Sequence, residues 1–378
     1  MKLMIIVTHL LGSGHLSRAL TLGRCFAQEG HAVRILSGGL PAPHLDTTGV
    51  QFLQMPPLGS DGTNFTDLLD DKGIVANHDY MSSRRDMLVD ALRADPPDVI
   101  ITELFPFGRR SLKDEFQHLL SAAHNLSPKP LVFASIRDIL APPSKPRKAE
   151  FAAEVLDRFY DGVLVHSDPE ITPLGISWPV TDALEQRLSY TGFVAPGPPN
   201  DHPQALGQGE ILVSAGGGSV GDGIFETCIK AAILRPDLQW RILVGGGDAD
   251  VRIKAFKAIA PANVILNAAR SDFRQMLRHA TASVSMCGYN TALDVLQTQV
   301  PAVFIPFDAG GEVEQTLRAK ALAALPRIQV VLSDVLTPNA LIAALNVVSK
   351  DHTNETPRFG FDGARRTVQI VEQKLAAR

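Results

Sequence analysis

Short apolar runs of strand length, each followed by a helical pattern, recur along this chain, and that alternation leaves few architectures open. Leu3-Met4-Ile5-Ile6-Val7 is apolar without interruption, as a strand covered on both faces of a parallel sheet must be. After the loop Thr8–Gly14, the residues Leu16, Ala19, Leu20, Gly23, Phe26 and Ala27 recur at helical spacing and define one apolar face. Gly30 ends that helix, and Val33-Arg34-Ile35-Leu36-Ser37 reads as the next strand. The unit is βαβ, whose crossover is right-handed.

The rhythm continues with strands expected at 98–102, 131–135 and 162–166 and helices at roughly 80–94, 111–124 and 149–159. Residues 38–78, rich in Gly, Pro, Asp and Thr, read as irregular, mobile loop near a site. Four prolines fall within residues 195–203, the clearest domain boundary in the chain. Beyond it the pattern restarts at Glu210–Ser214, with further strands at 240–244, 264–266, 282–285 and 302–305. A polar, irregular stretch at 350–360 precedes a helix near 361–376 that could return to the first domain. The expected fold class is α/β: two doubly wound, parallel-sheet, Rossmann-like domains, 1–196 and 203–355, facing a cleft.

Composition narrows the function. Of 378 residues, 36 are Lys or Arg and 40 Asp or Glu, a net charge of −4, which excludes a nucleic-acid binder with a broad basic face. Cys25, Cys228 and Cys287 are far apart, so neither a disulfide framework nor a structural zinc site is expected, and a reducing cytoplasm fits. No apolar run reaches the ~18 residues of a membrane span. The apolar N-terminus runs at once into glycine and histidine, and reads as a buried strand rather than a signal peptide.

The chemistry-bearing motifs fall after strands. Gly12-Ser13-Gly14-His15 joins the first strand to the first helix. Glycines there admit close backbone approach, the helix start offers free N–H groups, and a histidine can exchange a proton near neutrality. The bland alternative is a capping turn with a solvated histidine. Ser214–Gly221 contains Gly216, Gly218 and Gly221 in the dinucleotide-binding spacing, but an acidic residue about 20 positions on is missing and Asp248 comes late. A glycine loop cradling a diphosphate is the more general reading. In Cys287–Asp294, Asn290 or Thr291 can cap the next helix. Asp294 would then lie in its first turn, accepting from a sugar diol or merely favouring the helix dipole. Glu314 and Gln315 would begin a further helix. Glu103, Asp138, His166 and Asp168 end strands of the first domain as candidate bases, against the reading of structural ion pairs with Arg137 or Arg109. Phe105 and Phe107 read as packing, and Asp61, Asp70-Asp71 and Asp248–Asp250 as solvated loops.

These motifs, in this order on two βα domains, resemble a glycosyltransferase of the GT-B fold. The similarity is to MurG-type enzymes, which move N-acetylglucosamine from a UDP-sugar, and to related transferases of family 28. It covers nearly the whole chain and rests on Gly12–His15, Thr191-Gly192, Gly217-Gly218-Ser219 and the Gly288–Asp294 segment. The resemblance implies that Gly14 borders the donor, that Gly217–Ser219 and Gly288, Asn290 and Thr291 hold the diphosphate, and that Asp294 takes the ribose hydroxyls. It assigns the donor sugar to Glu314 and Gln315, and the base to backbone near Asn267-Ala268, after the strand 264–266. The chain departs from the family at Asp294, commonly Glu, at Met286, often Arg, and at Leu10-Leu11, where the family is polar or glycine-rich. The expected activity is an inverting, metal-independent transfer from a UDP-sugar co-substrate, with no cofactor. The acceptor is a small-molecule or lipid-linked hydroxyl, reached in the latter case by peripheral membrane contact. His15 comes first and Glu103 second as the catalytic base. A UDP-sugar hydrolase, suggested by the Gly12-x-Gly-His-x-x-Arg18 start, a non-catalytic nucleotide-sugar binder and a dinucleotide enzyme are the alternatives.

Overall fold

The computed structural model describes residues 1–60, 67–350 and 360–378, so Asp61 and nearly all of the polar stretch at 350–360 lie outside the described residues. The chain divides into two compact units, one of residues 1–196 with 360–378, the other of residues 197–350.

In the first unit the strands and helices run β1 Lys2–Val7, α1 Gly14–Gln28, β2 Ala32–Gly39, β3 Gln51–Leu58, α2 His78–Ala94, β4 Val99–Glu103, α3 Lys113–His124, β5 Leu131–Arg137, α4 Pro146–Phe159, β6 Gly162–His166, α5 Asp182–Glu185 and β7 Leu188–Tyr190. The seven strands form one parallel sheet in the order β3-β2-β1-β4-β5-β6-β7. Both faces are covered, which is why the central residues of β1 and β4 are apolar on both sides: Met4, Ile6 and Ile100 join one core, and Leu3, Ile5, Val7 and Ile101 the other. β3 corrects the expectation of loop over 38–78. Its Pro56-Pro57 pair cannot donate to a ladder, and β3 is an edge strand, where that omission is tolerated.

The second unit runs β8 Glu210–Ser214, α6 Asp222–Leu234, β9 Gln239–Val244, α7 Ala249–Lys257, β10 Val264–Ala268, α8 Phe273–Leu277, β11 Ala282–Ser285, α9 Tyr289–Thr298, β12 Ala302–Phe304, α10 Glu314–Leu322, β13 Ile328–Val330 and α11 Pro338–Lys350. Its parallel sheet has the order β10-β9-β8-β11-β12-β13. Trp240, Phe225 and Cys228 are fully buried in its core.

The last helix, α12 Gly363–Ala376, belongs to the first unit, where Val368 and Val371 pack with Leu16, Leu20 and Phe26. The segment before it is tied down at Gly192. Phe193 N–H donates to the Gly360 carbonyl (2.8 Å), and Gly363 N–H to that of Phe193 (3.1 Å). Gly192 has φ +80°, and a Cβ there would meet the Gly360 oxygen at 2.7 Å, so both the backbone and the close approach require glycine.

Each sheet reverses its strand order once, between β1 and β4 in the first unit and between β8 and β11 in the second. Ligands of open α/β sheets bind outside the carboxyl ends of the strands at such a switch point. His15 follows β1 and Glu103 ends β4; Gly217–Ser219 follow β8 and Gly288–Asp294 follow β11.

Candidate active site

The helix α1 starts at Gly14, so His15 and Arg18 stand three residues apart on one helical face in its first turns. Both reach Glu103. His15 Nδ1 lies 2.8 Å from Glu103 Oε1, and the Arg18 guanidinium donates to the same oxygen. The other oxygen, Oε2, accepts from Ser135 Oγ at 2.7 Å, because β4 and β5 pair Glu103 directly with Ser135. Glu103 is 2% exposed and His15 13%. Burial alone would raise the Glu103 pKa, but the Arg18 charge and the hydrogen bonds from His15 and Ser135 hold it well below the carboxylate range. Burial drives His15 the other way, down to about 3 despite the Glu103 contact, with Arg109 and Arg18 adding to the fall. The imidazole is therefore neutral at neutral pH, with its proton on Nδ1, facing the carboxylate. Nε2 keeps its lone pair, and no partner for it exists among the described residues. A neutral imidazole held this way is a proton acceptor.

The remaining first-unit candidates Asp138 and Asp168 are engaged in local backbone hydrogen bonds. Asp138 is 1% exposed and accepts the N–H of Ile139 (2.7 Å). Asp168 accepts that of Glu170 (3.0 Å). Phe105 stacks on Phe116 at 4.4 Å, and Phe107 meets Trp178 edge-on at 5.1 Å, so both are packing residues. Glu103 pairs with Arg18 rather than with Arg109, which donates to the Thr8 carbonyl.

In the second unit Gly217, Gly218 and Ser219 form a loop that precedes the helix instead of opening it. α6 begins only at Asp222, behind Gly221 at φ +92°, where a Cβ would overlap that of Ala215. Asp222 places a carboxylate in the first turn, paired with Arg252, and Ser219 Oγ donates to Asp248 at 2.6 Å. The helix start best suited to an anion is that of α9. Gly288 is its N-cap without a side-chain hydrogen bond, and its first turn holds no acidic residue.

Three site expectations change here. Asn290 and Thr291 do not cap α9; they lie inside its first turn, since Gly288 already occupies the cap. Asp294 consequently sits in the second turn, too deep to serve the helix dipole, and accepts from Arg274 Nε at 2.7 Å. Burial, outweighing Arg274, raises its pKa to about 6. Asn267 and Ala268 do not follow β10 but complete it, and Asn267 Oδ1 accepts from Arg241 Nη1 (2.6 Å), which is itself paired with Glu210. Glu314 and Gln315 do open α10. The residue that sequence reading passed over is Glu312, whose Oε1 accepts the N–H of Glu314 (2.6 Å) and of Gln315 (3.3 Å) and fixes the start of that helix. Arg18 and Ser135 were likewise missed as parts of one cluster. Their signals were a cation three residues after His15 and a hydroxyl at a strand end. Among the described residues no group of three or more His, Cys, Asp or Glu side chains could hold a metal ion.

Comparison with known proteins agrees with this geometry. Residues 214–359 match the model of the glycosyltransferase family 28 C-terminal domain. Among solved structures, MurG of Acinetobacter baumannii aligns over 98% of this chain and 99% of its own, with 16% identity and a TM-score of 0.64. The calicheamicin glycosyltransferase CalG4 aligns over 99% and 94%, with 17% identity and a TM-score of 0.62. UGT2 of Phytolacca americana, solved with UDP-2-fluoro-glucose and pterostilbene, aligns over 99% of both chains, with 12% identity and a TM-score of 0.62. No curated protein matches by sequence. Two parallel-sheet α/β domains with these neighbours define the GT-B fold. Residues 214–359 carry the glycosyltransferase family 28 C-terminal domain, which makes the chain a glycosyltransferase, similar in fold to MurG.

Proposed function

We propose that this enzyme moves a hexose, such as N-acetylglucosamine, from a UDP-sugar to a hydroxyl acceptor with inversion and without a metal. The observation that carries the reading is the neutral His15, held through Nδ1 by Glu103 at the switch point of the first sheet with Nε2 left open. The acceptor oxygen attacks the anomeric carbon as its proton passes to Nε2. The bond from that carbon to the diphosphate breaks, and its electron pair leaves with UDP. Glu103 stabilises the resulting imidazolium and fixes the ring; both its oxygens are engaged, so it orients rather than abstracts. Amide groups at the start of α9, with the Gly217–Ser219 loop, meet the charge of the departing UDP. Asp294 accepts from the ribose, and Glu314 and Gln315 contact the donor sugar. The family 28 match and the UDP-sugar named with the Phytolacca enzyme support a UDP donor. The acceptor is a small-molecule or lipid-linked alcohol, and the reaction is placed in the cytoplasm. Among the described residues no helix is long and apolar enough to cross a membrane, so a lipid-linked acceptor would be met by peripheral contact.

An open Nε2 would deprotonate water as readily as an alcohol, which gives a UDP-sugar hydrolase as the second reading. Incubation with a set of UDP-sugars, with and without alcohol acceptors, separates the two. Product formed only with an acceptor supports transfer; free sugar released without one selects the hydrolase. Absence of both, with no thermal stabilisation by UDP, overturns the proposal.

A further inference from the structure

Behind Glu103 the polar contacts do not stop. Ser135 Oγ, which donates to Glu103 Oε2 at 2.7 Å, also lies 2.9 Å from His166 Nε2, and His166 Nδ1 lies 2.9 Å from Thr191 Oγ1. Ser135 and His166 are wholly buried and Thr191 is 3% exposed. These groups sit at or just past the carboxyl ends of β5, β6 and β7, so the row crosses the sheet from strand to strand beneath the active-site surface.

The direction of the row follows from proton counting. Ser135 has one hydroxyl proton, and it goes to the carboxylate. Its contact with His166 is then a donation from Nε2–H. Burial, with Arg18 nearby, lowers the His166 pKa to about 3, so the ring is neutral and Nδ1 has no proton. Nδ1 can then only accept, and the donor facing it is the Thr191 hydroxyl, whose one proton is shared with the Gly192 carbonyl at 2.8 Å. Three hydrogen bonds therefore point the same way, from Thr191 through His166 and Ser135 to Glu103, each polarising the next.

We propose that Ser135 and His166 are positioning residues for His15, setting through Glu103 how strongly the carboxylate holds the imidazole. The inference deepens the proposed activity and rests on His15 being its base. Donors on Oε2 draw negative charge away from Oε1, the oxygen that faces His15. Removing one returns that charge, which favours the imidazolium. The charged groups acting on His15 are Glu103 from the end of β4, Arg109 from the following loop and Arg18 on its own helix; those acting on His166 are Arg18 and Glu103.

The test is imidazole nitrogen and carbon NMR on the full chain without substrate, followed by kinetics with a UDP-sugar. Wild type should show His15 as the Nδ1–H tautomer and His166 as the Nε2–H tautomer. In Ser135→Ala the His15 titration midpoint should rise by about half a unit or more. The acid limb of kcat/KM should move with it, and kcat should fall roughly 3- to 10-fold at unchanged donor KM. Ser135→Thr, which keeps a hydroxyl, should restore all three. Should Ser135→Ala not fold, Thr191→Val cuts the row at its far end, and a smaller shift of the same sign is expected. An unmoved His15 titration in a folded Ser135→Ala or Thr191→Val overturns the proposal. A shifted titration in a chain whose wild type transfers no sugar leaves the relay standing and removes the transferase reading instead.

Discussion

Glu103, buried at the end of β4, and Asp294, half-buried in the second turn of α9, both lie near a switch point and each faces an arginine, yet their acidities move in opposite directions. Glu103 receives Arg18, His15 and Ser135, filling both oxygens, and the sum of these donors overcomes the cost of burial. Asp294 receives Arg274 on Oδ1, and burial wins, taking its pKa to about 6. An arginine alone does not fix the charge state of a buried acid; the number of donors does. In the proposed reading the difference matches two tasks. Glu103 is saturated from within and holds another catalytic group, whereas Asp294 keeps acceptor capacity for a ligand.

The largest effect that would break this comparison comes from removing each arginine. Arg18→Met strips a carboxylate that is 2% exposed of its main counter-charge and should destabilise the chain by about 3 kcal/mol or more in denaturant unfolding. Arg274→Met leaves a pair that is 15–26% exposed and an acid already easily protonated, and should cost less than about 1 kcal/mol. Equal costs would mean that donor count is not what separates the two sites.

His15→Ala tests what the saturated carboxylate is for. Turnover should fall about 100-fold or more, the loss typical of a removed general base, while UDP affinity measured by calorimetry stays unchanged. Because the His15 pKa is lowered, wild type keeps its base deprotonated as pH falls, so the acid limb of kcat/KM should lie below pH 6. Turnover that survives the substitution would take His15 out of the mechanism.

Much of this was legible in the chain. β1, β4 and β8 each carry a continuous apolar run because both faces of a parallel sheet are covered, and Glu103 ends a strand while His15, Gly217 and Gly288 follow strands, as read. The strand order was not legible. His15 and Glu103 are 88 residues apart, and they meet only because β4 is laid beside β1, a choice no local pattern records. β3 was hidden by Pro56-Pro57, and β7 and β13 by having three residues each without the continuous apolar run that marked the equally short β12. Asp294 was placed one turn early because Gly288, with nothing on its side chain to signal a cap, starts α9 before Asn290. Asn267 was assigned to a loop because nothing local shows that Arg241, clamped by Glu210, holds it in the edge strand.

The opposite shifts predict opposite pH windows of stability. The folded-state pKa of Glu103 is depressed, so its stabilisation is present above the unfolded value near 4.5 and is lost as pH falls below it. That of Asp294 is raised, so the folded chain binds this proton more tightly than the unfolded chain does. The Asp294 contribution is then largest below about pH 4 and declines as pH rises through about 6, by on the order of 3 kcal/mol. Melting temperature against pH should lose its steepest acid fall in Glu103→Gln and its decline between pH 4 and 6 in Asp294→Asn. The same slope in wild type and both variants would contradict both assignments.

The smallest expected effect bears on the ligand side of the comparison. Ribose hydroxyls donate, so they are held by an ionised Asp294 and less well by a protonated one. Lowering the pH from 7.5 to 5 should then weaken UDP binding through this residue by several-fold, about 1 kcal/mol, the scale of one hydrogen bond to a charged group. UDP itself also titrates in this range, so the informative quantity is the difference between wild type and Asp294→Asn, in which the ligand's own protonation cancels. A difference that shrinks toward acid pH, as the wild-type carboxylate becomes neutral like its amide replacement, supports the ribose contact. A difference constant with pH means that Asp294 is fully committed to Arg274, and the two carboxylates would then be alike in serving only the fold around them.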